Sequence, residues 1–336
     1  MLRDLRGQFR DIMRRHSMLS TILVRVLQTV PVLFGVTFFT FGFLNLLPGD
    51  TAAAILGEQA TPQSLAILRR QLGLDQPFFT RYGHWLSNLV TGHLGTSLTT
   101  HQPIATILAQ RVPITLEIAI VAFLEALIVA IPVALLAAWK PRSVADRSIT
   151  GLSVVGLSFP PFVFALVLIL VFSLQFHWLP VSGFQSISHG LGANLKSVLL
   201  PSSTIAFGLF CVYARLLRAD LVDQMAREEY IELARAKGAR TWRLLTRHAF
   251  RNSLFGLITV VGLHLGTLIS GTVIVESIFG LPGIGQELYY AISGRDAPVV
   301  EAIVVLLAST VVVMNLLTDI LYSVIDPRVR HGRTAA

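Results

Sequence analysis

Leu217–Leu254 reads LRADLVDQMAREEYIELARAKGARTWRLLTRHAFRNSL, the longest charged run in a chain otherwise made of apolar segments. Its cations, Arg218, Arg227, Arg235, Lys237, Arg240, Arg243, Arg247 and Arg251, alternate with Asp220, Asp223, Glu228, Glu229 and Glu232. Apolar runs end near Leu216 and resume near Phe255, so the stretch is a water-facing excursion between two membrane spans. Most of its residues are good helix formers. One helix is expected with Leu217, Leu221, Met225 and Ala234 among its apolar positions, and Gly238 falls where that helix needs a left-handed stop. A second helix is expected from Thr241 onward, at an angle to the first.

Outward from this loop, composition sets the class. Hydrophobic residues make up 53% of the chain and charged ones 14%, far from the balance of a soluble domain, which leaves a polytopic all-α membrane protein. The net charge of +8 does not point to nucleic acid, because the cations are interrupted by acids and sit between apolar runs. The single cysteine, Cys211, lies inside an apolar run, so no intrachain disulfide can form.

Six apolar runs are long enough to cross a bilayer: Thr21–Leu47, Ile114–Trp139, Ile149–Phe176, Val198–Leu217, Phe255–Val275 and Val299–Tyr322. The first is about twice the length of a signal-peptide core, which reads as an uncleaved span kinked at Pro31. Six spans place both termini on one side. Lys and Arg number five in the N-terminal tail, three in Lys140–Arg147, eight in the central loop and three in the C-terminal tail, against six on the opposite side. That asymmetry makes the termini and the central loop cytoplasmic.

The chain therefore divides into a basic tail (1–20), a first span with a large outer loop (21–112), a core of five spans carrying the 217–254 loop (113–322) and a second tail (323–336). In the outer loop, Thr61-Pro62 starts a short helix that Gly73 ends. Phe78, Phe79, Tyr82, Trp85 and Leu86 give a second short helix an aromatic side, suited to an interface anchor or to a docking surface.

No Walker A loop, HExxH or CxxC spacing or nucleophile elbow is present, so neither a catalytic residue nor a metal or cofactor site is expected, and any ATP is hydrolysed by another subunit. The glycine-rich Gly280-Leu281-Pro282-Gly283-Ile284-Gly285 reads as a turn on the outer side. Within the spans, Glu125, His264 and Asp319 are ionisable and should face the bundle interior, as pathway or relay groups or as interhelical hydrogen-bonding partners. Asn315, Asp319 and Tyr322 share a helical face near the cytoplasmic end. Gly262, Gly266 and Ser270 recur at four-residue steps, a pattern that lets helices approach closely in lipid. Pro160-Pro161 must break the hydrogen-bond ladder of the third span, as a static kink or as part of a pathway.

One resemblance runs through most of the chain. Glu232-Leu233-Ala234, three further residues and then Gly238 resembles the "EAA...G" loop by which permease subunits of bacterial ABC importers engage their ATPases. Glu229-Tyr230-Ile231, Ala234-Arg235-Ala236-Lys237-Gly238 and His248-Ala249-Phe250-Arg251-Asn252 are similar to the dipeptide/oligopeptide/nickel branch of that family. So are Leu47-Pro48-Gly49-Asp50, Gly92-His93-Leu94-Gly95, Phe279-Gly280-Leu281-Pro282-Gly283-Ile284-Gly285 and Asp326-Pro327-Arg328. The broader family closes its loop with I-x-L-P; His248, Ala249, Phe250 and Arg251 stand there instead, a departure that fits the peptide branch.

The resemblance implies a type I importer permease in a bacterial inner membrane. It would share its pathway with a second homologous permease, two cytoplasmic ATPase subunits and a periplasmic binding protein that delivers solute. Peptide leads as that solute, with nickel or another small polar solute behind. In the coupling loop it implies an apolar contact from Tyr230, Leu233 and Ala234, polar contacts from Glu232, Arg235 and Lys237, and a turn at Gly238. The rival is an ion-coupled secondary transporter using Glu125, His264 and Asp319. That class commonly shows internal repeats, which are not evident here, and it gives no reason for the charged loop.

Overall fold

The computed structural model describes residues 27–43, 60–71, 73 and 75–325. The N-terminal tail, the Leu47-Pro48-Gly49-Asp50 motif and residues 326–336, with Asp326-Pro327-Arg328, lie outside the described residues. Among those described, the chain is helical, and its β pairing is one isolated bridge between Thr96 and Pro103. Four helices are long and apolar enough to cross a bilayer: Ile104–Trp139, Leu191–Arg227, Thr241–Gly266 and Ala297–Thr318. Two bent pairs bring the number to as many as six. One of them, Leu268–Phe279 with Ile284–Ser293, bends by 72°; its first half overlaps the end of the expected fifth run and its second half is not among the expected runs. Within the expected first span, the described residues Leu27–Phe43 form an apolar helix, α1, and the rest of that span lies outside the described residues.

The chain falls into two compact units. The first comprises residues 1–104 and 294–336. In it α2 (Pro62–Gln71) begins as expected, with Pro62 at the first turn. The Ser64 N–H donates to Thr61 Oγ1 (3.1 Å) and the Thr61 N–H donates back to Ser64 Oγ (2.9 Å), a reciprocal cap that satisfies donors a helix start leaves free. The aromatic side of α3 (Phe78–Val90) packs on α1. Tyr82 lies 5.4 Å from Phe38 and Trp85 lies 5.5 Å from Phe41, ring centre to ring centre, and the Thr37 and Tyr82 hydroxyls meet at 2.9 Å. These rings serve packing rather than a free outer surface, although Phe79 stays exposed.

The second unit spans residues 105–293. Its helices are α4 (Ile104–Trp139), α5 (Val144–Ser158), α6 (Pro161–Leu168, continued by a π turn over Ile169–Gln175) and α7 (Leu191–Arg227). They are followed by α8 (Glu229–Ala236), α9 (Thr241–Leu244), α10 (Phe250–Phe279) and α11 (Ile284–Ser293). In the first unit, α12 (Ala297–Ile325) closes the described chain.

Helix α7 is the hub of the second unit, with α5, α6 and α10 lying against it. Small residues allow this. Gly156 of α5 sits where a Cβ would meet Cys211 Sγ and the Phe207 ring of α7, and Ala122, Ala126, Ala130, Ala134 and Ala138 form a buried stripe on α4. In lipid, where packing rather than hydrophobicity joins helices, such stripes permit close approach. The expected third span is a bent pair rather than one kinked helix. Its halves meet at 109° across Phe159-Pro160, because the two prolines remove consecutive backbone donors.

Candidate functional site

Helix α7 runs to Arg227, Glu228 turns extended (φ −90°, ψ 122°), and α8 begins at Glu229. The single helix expected from Leu217 to Gly238 is therefore two. The Glu228 carbonyl accepts from the N–H groups of Ile231 (3.0 Å) and Glu232 (3.3 Å), while Glu229 and Glu232 stand in the first turn, where a helix start favours negative charge. The break swings Ile231, fully buried, into the same apolar cluster as Leu217, Leu221, Leu244 and Leu245.

Gly238 ends α8 as expected, at φ +83°. Its N–H donates to the Arg235 carbonyl (2.9 Å), and the Ala239 N–H reaches back to Ala234 (3.2 Å), the paired bonds of a Schellman stop. Arg240 is then extended and α9 starts at Thr241, passing through a π turn at Leu245–Ala249 into α10. Of the residues singled out in this loop, Tyr230 and Ala234 face partly inward. The Tyr230 hydroxyl donates to Gln224 Oε1 (2.6 Å) and accepts from Asn252 Nδ2 (2.8 Å), so it links α7 to α10. Glu232, Leu233, Arg235, Lys237 and Gly238 remain exposed, with Leu233 60% accessible. Sequence reasoning missed Ile231 as the anchor, although it was the one fully apolar side chain beside Tyr230.

Glu125 accepts from the hydroxyls of Ser202 (2.6 Å) and Ser203 (2.9 Å), an interhelical link between α4 and α7. His264 of α10 lies against Tyr213 of α7, ring centres 5.5 Å apart. Gly262 and Gly266 are buried, whereas Ser270 is exposed, so the small-residue stripe packs inward over its first two positions only. Pro160 and Pro161 are exposed at the 109° bend. Asn315 is exposed on α12, while the side chains of Asp319 and Tyr322 are outside the described residues.

A second feature went unread in the sequence. Glu276, fully buried near the end of α10, accepts from Thr115 Oγ1 (2.7 Å) and from the N–H groups of Gly285 (2.7 Å) and Gln286 (3.3 Å). The Thr115 hydroxyl oxygen in turn accepts from the Ile284 N–H (2.9 Å). The carboxylate thus serves the first turn of α11, whose donors have no partner within the helix. Gly280 turns the chain at φ +60°, and the Leu281 N–H returns to the Glu276 carbonyl (2.9 Å). A Cβ on Gly283 would strike the Glu276 carboxylate, and one on Gly285 would strike Val273 Cα. The expected turn at 280–285 is a hairpin wrapped around one acid. Among the described residues no cluster of three or more His, Cys, Asp or Glu side chains could hold a metal ion.

Several apolar spans, a tight helix–glycine–helix loop between two of them and a broken, buried-acid hairpin define a polytopic membrane transport subunit. Comparison with known proteins gives the family. Binding-protein-dependent transport system inner membrane components match residues 130–331, and the N-terminal part of such components matches residues 18–119. A probable peptide ABC transporter permease protein of Sinorhizobium fredii is 36% identical over 92% of this chain and 99% of its own length. A glutathione transport system permease protein of Escherichia coli is 37% identical over 94% and 100%. A chain of the MetNI methionine ABC transporter in an inward-facing conformation shares the fold at a TM-score of 0.55, with 20% identity over 67% of this chain and 98% of that one. The chain belongs to the family of binding-protein-dependent transport system inner membrane components. It is a multi-pass inner membrane protein and a transport subunit rather than an enzyme.

Proposed function

We propose that this chain is the permease of an ATP-driven peptide importer and that residues 229–238 are its contact with a cytoplasmic ATPase. The observation that carries the coupling role is the division of α8. Ile231 and Tyr230 anchor the helix to α7 and α10, while Glu232, Leu233, Arg235 and Lys237 are left outward. A short helix with an apolar anchor and a mixed outer face is suited to a groove on a soluble partner. Peptide as solute is supported by the peptide and glutathione permeases that the chain resembles.

The same reading gives the subunit a second homologous permease to complete the pathway, a pair of ATPases and a periplasmic binding protein that meets the 48–111 loop. It also makes the loop and both termini cytoplasmic. A cysteine placed at Ala239 on a Cys211→Ser background should resist an impermeant thiol reagent in intact cells. The coupling role is tested with Gly238→Val and Glu232→Arg, each checked for insertion. Both variants should retain less ATPase on pull-down and take up less peptide. Normal uptake in both, with insertion intact, would remove the assignment.

A further inference from the structure

The short turn between α4 and α5 lies outside the coupling loop in sequence, yet it and the end of α4 are built against that loop on both sides of the 229–238 helix. Ser143 caps α5 by accepting from the Asp146 N–H (3.2 Å), and Asp146, almost wholly buried, turns its carboxylate back over the turn. One oxygen accepts from Arg218 Nε (2.8 Å); the other accepts from Arg218 Nη2 (2.8 Å) and from the Arg142 N–H (2.8 Å), with Arg142 held at φ +65°. A fork-on-carboxylate pair of this kind fixes orientation as well as distance.

Arg218 is one residue past the buried Leu217, on the last turns of α7 before its break at Glu228. Two residues on, Asp220 reaches the opposite neighbour: Gly256 of α10 has no room for a Cβ because the Asp220 carboxylate occupies that place. Past the Gly238 stop, Trp242 of α9 stacks edge-on against Trp139, the last residue of α4, at 5.4 Å, with Lys140 Nζ over the Trp139 ring at 5.4 Å. The end of α4 and the turn after it therefore grip the loop on both sides of the 229–238 helix, at Arg218 and at Trp242.

We propose that Asp146 is a positioning residue for energy coupling: by holding Arg218 it makes the α4–α5 turn a strut that carries movement of the 229–238 helix into α4 and α5. The proposal rests on the assignment of residues 229–238 as the ATPase contact. A loop joined to the spans only through its own two helices could tilt without moving α4 or α5. The strut closes that freedom, because a rigid pair at one end and a stacked ring at the other leave the loop and the turn to move together.

The test uses the whole transporter in lipid nanodiscs, purified through this chain with its ATPases, and compares ATP hydrolysis with and without its binding protein. Asp146→Asn removes the acid's charge with little change in volume, and Arg218→Gln removes the guanidinium fork. Each should keep ATPase retention and basal hydrolysis near the wild-type level while lowering stimulation by the binding protein about fivefold, within the range expected for coupling residues. The double variant should lose no more than either single, since the two act as one unit. Unchanged stimulation in both singles overturns the inference, and so do losses that multiply in the double variant. If a single variant fails to insert, Trp242→Ala tests the other grip of the same strut, and unchanged stimulation there overturns it as well. Glu232→Arg in parallel separates the two readings. Its loss of ATPase retention alongside a normal Asp146→Asn removes only the strut, whereas normal retention in Glu232→Arg removes the contact on which the strut depends.

Discussion

Two of the left-handed glycines that end helices, Gly238 and Gly280, make opposite breaks. Gly238 (φ +83°) ends α8 in the open, where an added Cβ would meet nothing within 4 Å and only backbone bonds make the stop. Gly280 (φ +60°), itself exposed, ends α10 where the chain folds back over the buried Glu276 carboxylate, with Gly283 and Gly285 pressed against it and against Val273. The same local signal thus makes an exposed projection in one place and a locked hairpin in the other. What separates them is the tertiary partner, not the turn.

The largest effect in this comparison is expected at Glu276. Glu276→Ala strands the Thr115 hydroxyl and two backbone donors of α11 in a dry interior, at roughly 1–3 kcal/mol for each group left unpaired. The variant should be nearly absent from the membrane fraction, or melt far below wild type in detergent. A normal melting point would mean that the hairpin does not depend on its acid.

Gly285→Ala comes next. The methyl would strike Val273 Cα, a backbone atom that cannot rotate away, and overpacking of a tight site costs about 1–3 kcal/mol. A clear fall in detergent melting temperature is expected, with membrane insertion retained. If the fall is no greater than for an alanine at Gly238, the contrast between a jammed and an open glycine fails.

How much of this was legible follows the range of the interactions. The Gly238 stop and the start of a helix at Thr241 are local and could be read from residues a few positions apart. The break at Glu228 was missed because its cause is the burial of Ile231 among Leu217, Leu244 and Leu245, which are not its sequence neighbours. Glu276 was missed for a similar reason. The expected fifth span ended at Val275 and the glycine cluster read as a turn, so the acid fell between them. Its partner Thr115 lies 161 residues away, and no local pattern announces such a pairing. The prolines at 160 and 161 announced a break but not its 109° angle, which depends on how α5 and α6 each pack on α7.

Thr115→Val probes the hairpin from its far side with a smaller perturbation. It keeps the shape of the side chain while taking one donor from Glu276 and one acceptor from the Ile284 N–H, at about 1–3 kcal/mol. Its melting temperature should fall between those of Glu276→Ala and wild type. Combined with Glu276→Ala, it should add little, because the two residues belong to one network.

The smallest effect on stability is expected at Gly238, and there the comparison is sharpest. Gly238→Ala introduces no collision, so the cost is limited to holding a Cβ in the left-handed region, about 1 kcal/mol. Insertion and melting temperature should therefore stay close to wild type, well above Gly285→Ala. Uptake is a separate matter, because Gly238 sets where α8 stops and how its outward residues are presented. If Gly238→Ala leaves melting nearly unchanged yet lowers both ATPase retention and peptide uptake, the open break serves a partner while the packed hairpin serves the fold. If uptake falls only in proportion to a loss of protein from the membrane, Gly238 is a helix cap and nothing more, and the contrast between the two breaks reduces to one of packing alone.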